Sequence, residues 1–452
     1  MDSSEALGVT SHEKERPLNI RSRIVSAFSY FSRLYLEKDE MTRSRKNILI
    51  FNISSNITIN LVGTNFIVGL YTILGVSDFW LSALAAIVPV CNSLQIFSPL
   101  FLRGLRRKRS VLAVMRIFFH LFSIVLIGLI PFLHNSADAY KIILLVAFTT
   151  VSNFINAIFT PAVGALQIRS IPVKLRMDHF SIVTFANMFI TSIFVLLGGK
   201  ITDIFKANGS LLLGLTAVRL IALAFAVWEI YADFHVHEYE EPNGGKTKND
   251  IFRYFSKKFI ISLLLVGGWT FVLNFPSLFY SSYMIKDLQA PFSFLSLVSF
   301  LQLPCVVVSA PVWNLILKKI SWYKSAACSM LIYAASYYIA CFVDRSNYLW
   351  LYTLSCVLCY LCVSNILTVV ANMPFLNLPE EGRIACLGFF GTFQGIVGAA
   401  GVAAGGLFIS LTKNITVNFL GGAYQNKQVL MFVAGIGFTL LSAMFFALRK
   451  QE

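Results

Sequence analysis

From residue 47 almost to its C-terminus the chain alternates between long apolar runs and short polar breaks. Each run holds roughly 20 residues or more, enough for an α-helix to cross about 30 Å of hydrocarbon and too many for a strand. The runs predict spans at 47–75, 79–102, 110–133, 140–166, 180–199 and 209–231, then at 258–283, 289–317, 325–343, 347–372, 384–411 and 428–448. The connectors are short, so neighbouring helices must run antiparallel. One connector differs: between Phe234 and Lys257 lies the polar stretch HVHEYEEPNGGKTKND, a flexible linker between two blocks of six. The expected division is a cytoplasmic tail at 1–46, a six-helix bundle at 47–231, a linker at 232–257, a second bundle at 258–448 and a short tail at 449–452.

Composition excludes alternatives. With 57% hydrophobic and 13% charged residues and a mean hydropathy of +0.71, a bilayer is the natural solvent. A net charge of +15 could suit nucleic acid, but most of the 37 Lys and Arg residues lie in the N-terminal tail and the even-numbered loops. That sidedness is what a membrane imposes, so the expected partner is the lipid bilayer and no nucleic acid is expected. It also places both termini in the cytoplasm, beneath the cell membrane. The first 46 residues hold no uninterrupted apolar region, so no cleavable signal is expected. Ile20, Ile24, Phe28, Phe31 and Tyr35 share one helical face, that of a basic amphipathic helix on the inner leaflet or of an ordinary extension.

Metal and nucleotide chemistry find little support. Cys356, Cys359 and Cys362 have a metal-like spacing but sit in a continuous apolar helix without a neighbouring His or carboxylate, and read as buried thiols. Gly244-Gly245-Lys246-Thr247 fails as a phosphate loop, because Glu240 stands where its first Gly belongs and no strand precedes it. An enzyme acting on lipid-linked substrates would need clustered acids, His or metal ligands near one membrane face. The six histidines do not supply them, His235 and His237 falling in the linker. No cofactor and no enzymatic activity are expected.

The two blocks match each other. Asn65, Phe66, Tyr71 and Asp78 recur as Asn274, Phe275, Tyr280 and Asp287, each 209 residues later; Pro172, Arg176, Gly198 and Gly199 recur as Pro379, Arg383, Gly405 and Gly406, 207 residues later. Matching spans are six helices apart, an even number, so the repeats share one orientation in the membrane. The expected fold is an all-α integral membrane protein with twelve transmembrane helices in two parallel-repeat six-helix bundles.

Over residues 47–448 this architecture resembles the major facilitator superfamily. The segment SPLFLRGLRRKR stands where that family carries a Gly-, Asp- and Arg-containing loop between helices two and three. Pro99, Arg103, Arg106, Arg107 and Lys108 fit, whereas Ser98 replaces the Gly and Leu102 the Asp. The stretches IPVKLRMDHFS and LPEEGRIACLG resemble the Pro-x3-Arg loops before helices five and eleven of some bacterial branches.

The resemblance implies a central cavity lined by helices 1, 4, 7 and 10 and by parts of 2, 5, 8 and 11. Asn52, Asn56 and Asn60 recur every four residues on the first span, with Asn65 beyond, a polar stripe that faces either a cavity or neighbouring helices. Further candidate substrate-binding amides are Gln95 with Asn92, Asn153, Asn156, Asn274, Gln302, Asn365 and Gln394, while Trp269 and Tyr280 would supply apolar walls. Arg103, Arg106, Arg176 and Arg383 are candidate gating charges, with topology signals as the alternative. The glycines of the eleventh span, Gly388 to Gly406, predict close packing about which the halves could rock.

Arg116, His120 and Arg219 lie inside the third and sixth spans, and no Asp or Glu occupies the centre of any span. Glu229, near the end of the sixth, comes closest. Any proton coupling should therefore avoid a mid-membrane carboxylate, and the positive charge either favours an anionic or zwitterionic solute or serves structure. The function expected is a monomeric secondary active transporter of a small-molecule substrate, organic and amphipathic, working by alternating access, with export preferred and the coupling ion open. A receptor or scaffold of the same fold, or a lipid-modifying enzyme, is the alternative.

Overall fold

The computed structural model describes residues 35, 39–98, 108–133, 138–169, 171, 175–237, 257–370, 383–413, 415–419 and 422–448. The amphipathic N-terminal stretch apart from Tyr35, the loop with Arg103 and Arg106, and both Pro172 and Pro379 lie outside them. Helices form where the apolar runs predicted: α1 (Glu40–Ile73), α2 (Asp78–Phe97), α3 (Ser110–Phe132), α4 (Asp138–Arg169), α5 (Arg176–Ala207), α6 (Leu211–Phe234), α7 (Lys257–Asp287), α8 (Phe292–Leu317), α9 (Trp322–Cys341), α10 (Tyr348–Val369), α11 (Arg383–Leu411) and α12 (Asn426–Ala447). Among the described residues, eleven of these have the length and apolarity to cross a bilayer. The other, α9, is as long but carries Lys324 and three serines that are buried. Ser325 bonds to Asn365 and Ser336 to the Ser355 carbonyl, both on α10, so α9 is polar because it faces protein. Leu220, Leu264, Val308 and Leu440 are all more than half exposed, as lipid-facing side chains are.

Local signals set the helix ends. Asp39 caps α1 by accepting from the Thr42 amide, and this contact with Thr42 holds its carboxyl below the usual carboxylate range. Gly75, at φ +65°, closes α1 in the left-handed conformation a glycine adopts without strain. In the loop between α9 and α10, Asp344 is likewise held below its usual range, chiefly by the Ser346 hydroxyl. A short antiparallel hairpin, β1 (Val417–Phe419) and β2 (Gly422–Tyr424), joins α11 to α12 and was not foreseen from the apolar pattern. It marks the hairpin face; the start of α1 and the end of α12 mark the opposite tail face.

Departures from regularity in α1, α3 and α7 bear on the site. Gly63 interrupts α1, where a Cβ would stand 2.7 Å from the Ile59 carbonyl oxygen. In α3 the backbone widens into a π-turn at Leu121–Leu126. In α7 the helix breaks after Asn274 and resumes at Phe279, with Ser277 at φ +37°.

The core explains the shape. Toward the hairpin face one buried apolar cluster runs through both halves, joining Leu61, Phe66 and Leu70 to Phe279, Phe292 and Leu295. Toward the tail face, the clusters stay within one half each: Ile48, Phe51 and Leu112 in one, Trp313, Tyr333 and Phe438 in the other. The two six-helix bundles are therefore sealed together on the hairpin side.

Candidate transport cavity and charge networks

The seam between the halves is made by glycines and by one capping carboxylate. A Cβ on Gly395 of α11 would come within 2.5 Å of the Ser93 amide and 2.8 Å of the Pro89 carbonyl oxygen on α2, so the two backbones are in contact. Gly406 faces the Ser82 side chain of α2, and Gly199 of α5 meets Phe292, Ser293 and Ser296 of α8. Within each half the neighbouring glycine packs on the adjacent helix, Gly198 on Phe66 and Gly405 on Phe275. These contacts pair the residues matched by the sequence repeat. Asp203 of α5 accepts from the first two amides of α8, Phe292 N at 2.8 Å and Ser293 N at 2.7 Å, so one half caps a helix of the other.

A second link crosses the seam at the hairpin face. Lys427, buried at the start of α12, sits 2.8 Å from Asp287 and 3.7 Å from Asp78. Lys286 donates to the Val76 carbonyl at 2.7 Å. Asp78 and Asp287 are repeat partners, so equivalent carboxylates of the two halves converge on one ammonium. Nothing in the sequence singled out Lys427 or Asp203, although the Asp78–Asp287 match pointed to the place.

Beside the contact of Gly395 with α2 lies a cavity of about 300 Å³. Its walls are Val88, Pro89, Asn92 and Gln95 of α2, Thr270 and Asn274 of α7, and Gly391, Gln394, Gly395 and Gly398 of α11. It is lined by amides, a hydroxyl, glycines and apolar groups, and among the described residues no charged side chain is in its walls. Four of the sequence candidates, Asn92, Gln95, Asn274 and Gln394, meet here. Gln95 donates to Asn92 at 3.3 Å, and Asn274 spends its NH2 on the Thr270 carbonyl, leaving its oxygen for another donor.

The other candidates fall elsewhere. Asn56 and Asn60 each donate to the backbone carbonyl four residues back, as Asn52 and Asn153 also do. The first-span stripe thus bonds largely within its own helix, while Asn52 also donates to Gln167 of α4 at 3.3 Å, an interhelical bond of the kind one of the two sequence readings expected. Asn156 accepts from Arg116 and Thr160. Asn365 is 1% exposed, bonded to Ser325 and Ser329 of α9, and belongs to the helix packing. Trp269 packs edge-on to Tyr333 in the second half's core, and Tyr280 lies against Tyr352. Asn65 and Gln302 are half-buried away from the cavity walls. Arg176 and Arg383 begin α5 and α11, while the positions of their side chains, like Arg103 and Arg106, lie outside the described residues.

The intramembrane charges are engaged with each other. Arg116 of α3 donates to Glu229 of α6 at 2.5 Å, to Asn156 of α4 at 2.9 Å and to Ser55 of α1 at 2.9 Å. His120 lies 3.0 Å from the other Glu229 oxygen. Arg219 donates to the Ser123 and Ile124 carbonyls at 3.1 and 3.2 Å, inside the π-turn of α3. These contacts favour the structural alternative for the intramembrane charges: Arg116 is paired with Glu229, and Arg219 bonds the backbone of α3.

No family model and no curated protein matches the sequence. In three dimensions the chain is similar to a bacterial homologue of the iron transporter ferroportin in an inward-facing state, with TM-score 0.63, 12% identity, and coverage of 90% of this chain and 98% of that one. It is also similar to the D-xylose–proton symporter (TM-score 0.61, 12% identity, 90% and 96% covered) and to the nucleoside transporter NupG (0.59, 10%, 92% and 100%). The fold is that of major facilitator superfamily transporters, and the chain is a multi-pass membrane protein. At such identities the likeness carries the fold alone.

Proposed function

We propose that this protein is a secondary active transporter that carries a small, uncharged, hydrogen-bonding organic solute by alternating access. The observation that carries this reading is the amide-lined cavity at the α2–α11 seam, walled by both halves, with the shared apolar core on its hairpin side. A cavity of about 300 Å³ is at the small end of ligand sites, and its half-buried amides offer hydrogen bonds that a polar solute can use and a hydrocarbon cannot. The amphipathic solute expected from the sequence is kept, with its polar part now assigned to Gln95, Asn274 and Gln394. The halves 47–231 and 258–448 are taken to rock as units about the glycine contacts, and export across the cell membrane by a monomer with cytoplasmic termini is the preferred direction and setting.

A screen of neutral nucleosides, sugars and small amides for thermal stabilisation of the purified protein, followed by flux in reconstituted vesicles, tests the reading. Stabilisation lost in Gln394→Ala and flux of the same solute are expected. Binding without flux in either direction would favour the receptor alternative.

A further inference from the structure

Resting on the carrier reading, we propose that Asp233, Glu229 and His120 form a proton-binding site between α3 and α6, apart from the solute cavity, and that its occupancy is linked to the transport cycle. Arg116 and Glu229 cancel each other's charge. Asp233 stands one turn beyond Glu229 on the same face of α6, is 1% exposed, and neither of its oxygens meets a hydrogen-bond donor. His120 is 2% exposed, with Nε2 turned to Glu229 and Nδ1 without a partner. With Asp233 ionised and His120 neutral, the cluster carries one uncompensated negative charge in a water-poor interior. One proton, on Asp233 or on His120, brings it to zero. An isolated buried carboxylate is so costly that the group takes up a proton instead.

Among the described residues, Arg116 and His120 are the charged or titratable groups of α3 set against these carboxylates. Ser55 of α1 and Asn156 of α4 are neutral. On α1, Arg45 is bonded to Thr42 and lies by Tyr35 and His179. The link to motion is Arg116, which holds Glu229, Asn156 and Ser55 at once. With Asp233 protonated, the guanidinium belongs to Glu229 and grips α1 and α4. When the proton leaves, a second carboxylate one turn nearer the tail face competes for it, and the grip on those two helices loosens.

Infrared difference spectroscopy of the purified protein in lipid nanodiscs, titrated between about pH 5 and 9, tests the site without any solute. The expected result is a protonated-carboxyl band that disappears as the pH rises and is absent in Asp233→Asn. No titrating band in the native protein, a band unchanged in Asp233→Asn, or a band abolished by sodium at fixed pH would overturn the proposal. Should Asp233→Asn not fold, His120→Gln serves: the proton loses one of its two seats, so the carboxyl band at a given pH must grow, and an unchanged band counts against sharing. In vesicles, solute movement driven by a pH gradient should fall roughly tenfold in Asp233→Asn, the size of an ordinary coupling. A titrating band in a protein that moves no solute would strike the carrier reading and leave the proton site standing.

Discussion

Arg219 shows how a charge is kept inside a membrane helix. It is 6% exposed, and its guanidinium bonds two backbone carbonyls in the π-turn of α3. Arg219→Leu removes these two bonds and is expected to cost about 1–3 kcal/mol of stability, seen as a lower thermal midpoint, with solute affinity unchanged in the protein that folds. An affinity loss without a stability loss would restore the anionic-solute idea. The cavity amides behave oppositely. Asn274→Ala or Gln394→Ala removes about one hydrogen bond to the solute, so binding should weaken roughly five- to tenfold by calorimetry while the midpoint stays. The asparagine stripe of α1 was visible in the sequence, yet its meaning was not, because spacing of four suits a cavity face and also suits bonding back to the preceding turn.

At the scale of the element, α11 is the part most closely determined by its sequence. Its glycines do different work, and the distances separate them. Gly395 and Gly401 have neighbouring backbone at 2.5 Å from an added Cβ, on α2 and on α7, while Gly391 has nothing within 4 Å. Gly395→Val should force α2 and α11 apart and abolish closure of the hairpin side, measured as loss of cysteine cross-linking between the two helices. Gly391→Ala should cross-link like the native protein and merely narrow the cavity. If both behave alike, the close approach is not what the glycines serve. The break in α7 belongs with this: Phe275, at the break, presents its carbonyl to Gly405, so the irregular backbone sits against a glycine helix and away from lipid.

For the whole molecule, the question is what holds one side shut. The continuous apolar core, the Asp203 cap on α8 and the Lys427 bridge all act at the hairpin face. Lys427→Gln removes an ammonium shared by two repeat-related aspartates. A partly buried bridge of this kind is worth roughly 1–2 kcal/mol, enough to move a nearly balanced two-state equilibrium about tenfold. Spin-label distances across the hairpin face should broaden toward longer values in Lys427→Gln and in the Asp78→Asn, Asp287→Asn pair. Distances identical to the native protein would assign closure to the apolar core and the glycines alone.

Hydropathy, loop length and the internal repeat by themselves determined the helices, their order and the two-bundle arrangement, because a bilayer leaves a long apolar run one way to satisfy its backbone. The repeat also marked Asp78, Asp287, Gly199 and Gly406, which all prove to sit at the seam between the halves. Only the tertiary structure decided which polar groups meet. Asp233 shows the reason: the apolar pattern ends α6 near residue 231 and assigns this carboxylate to the linker, whereas the helix runs on to Phe234 and buries it beside Arg116 and Glu229. Whether a polar side chain lines a cavity, pegs a neighbouring helix or stands alone depends on what packs opposite it, and that partner is distant in sequence.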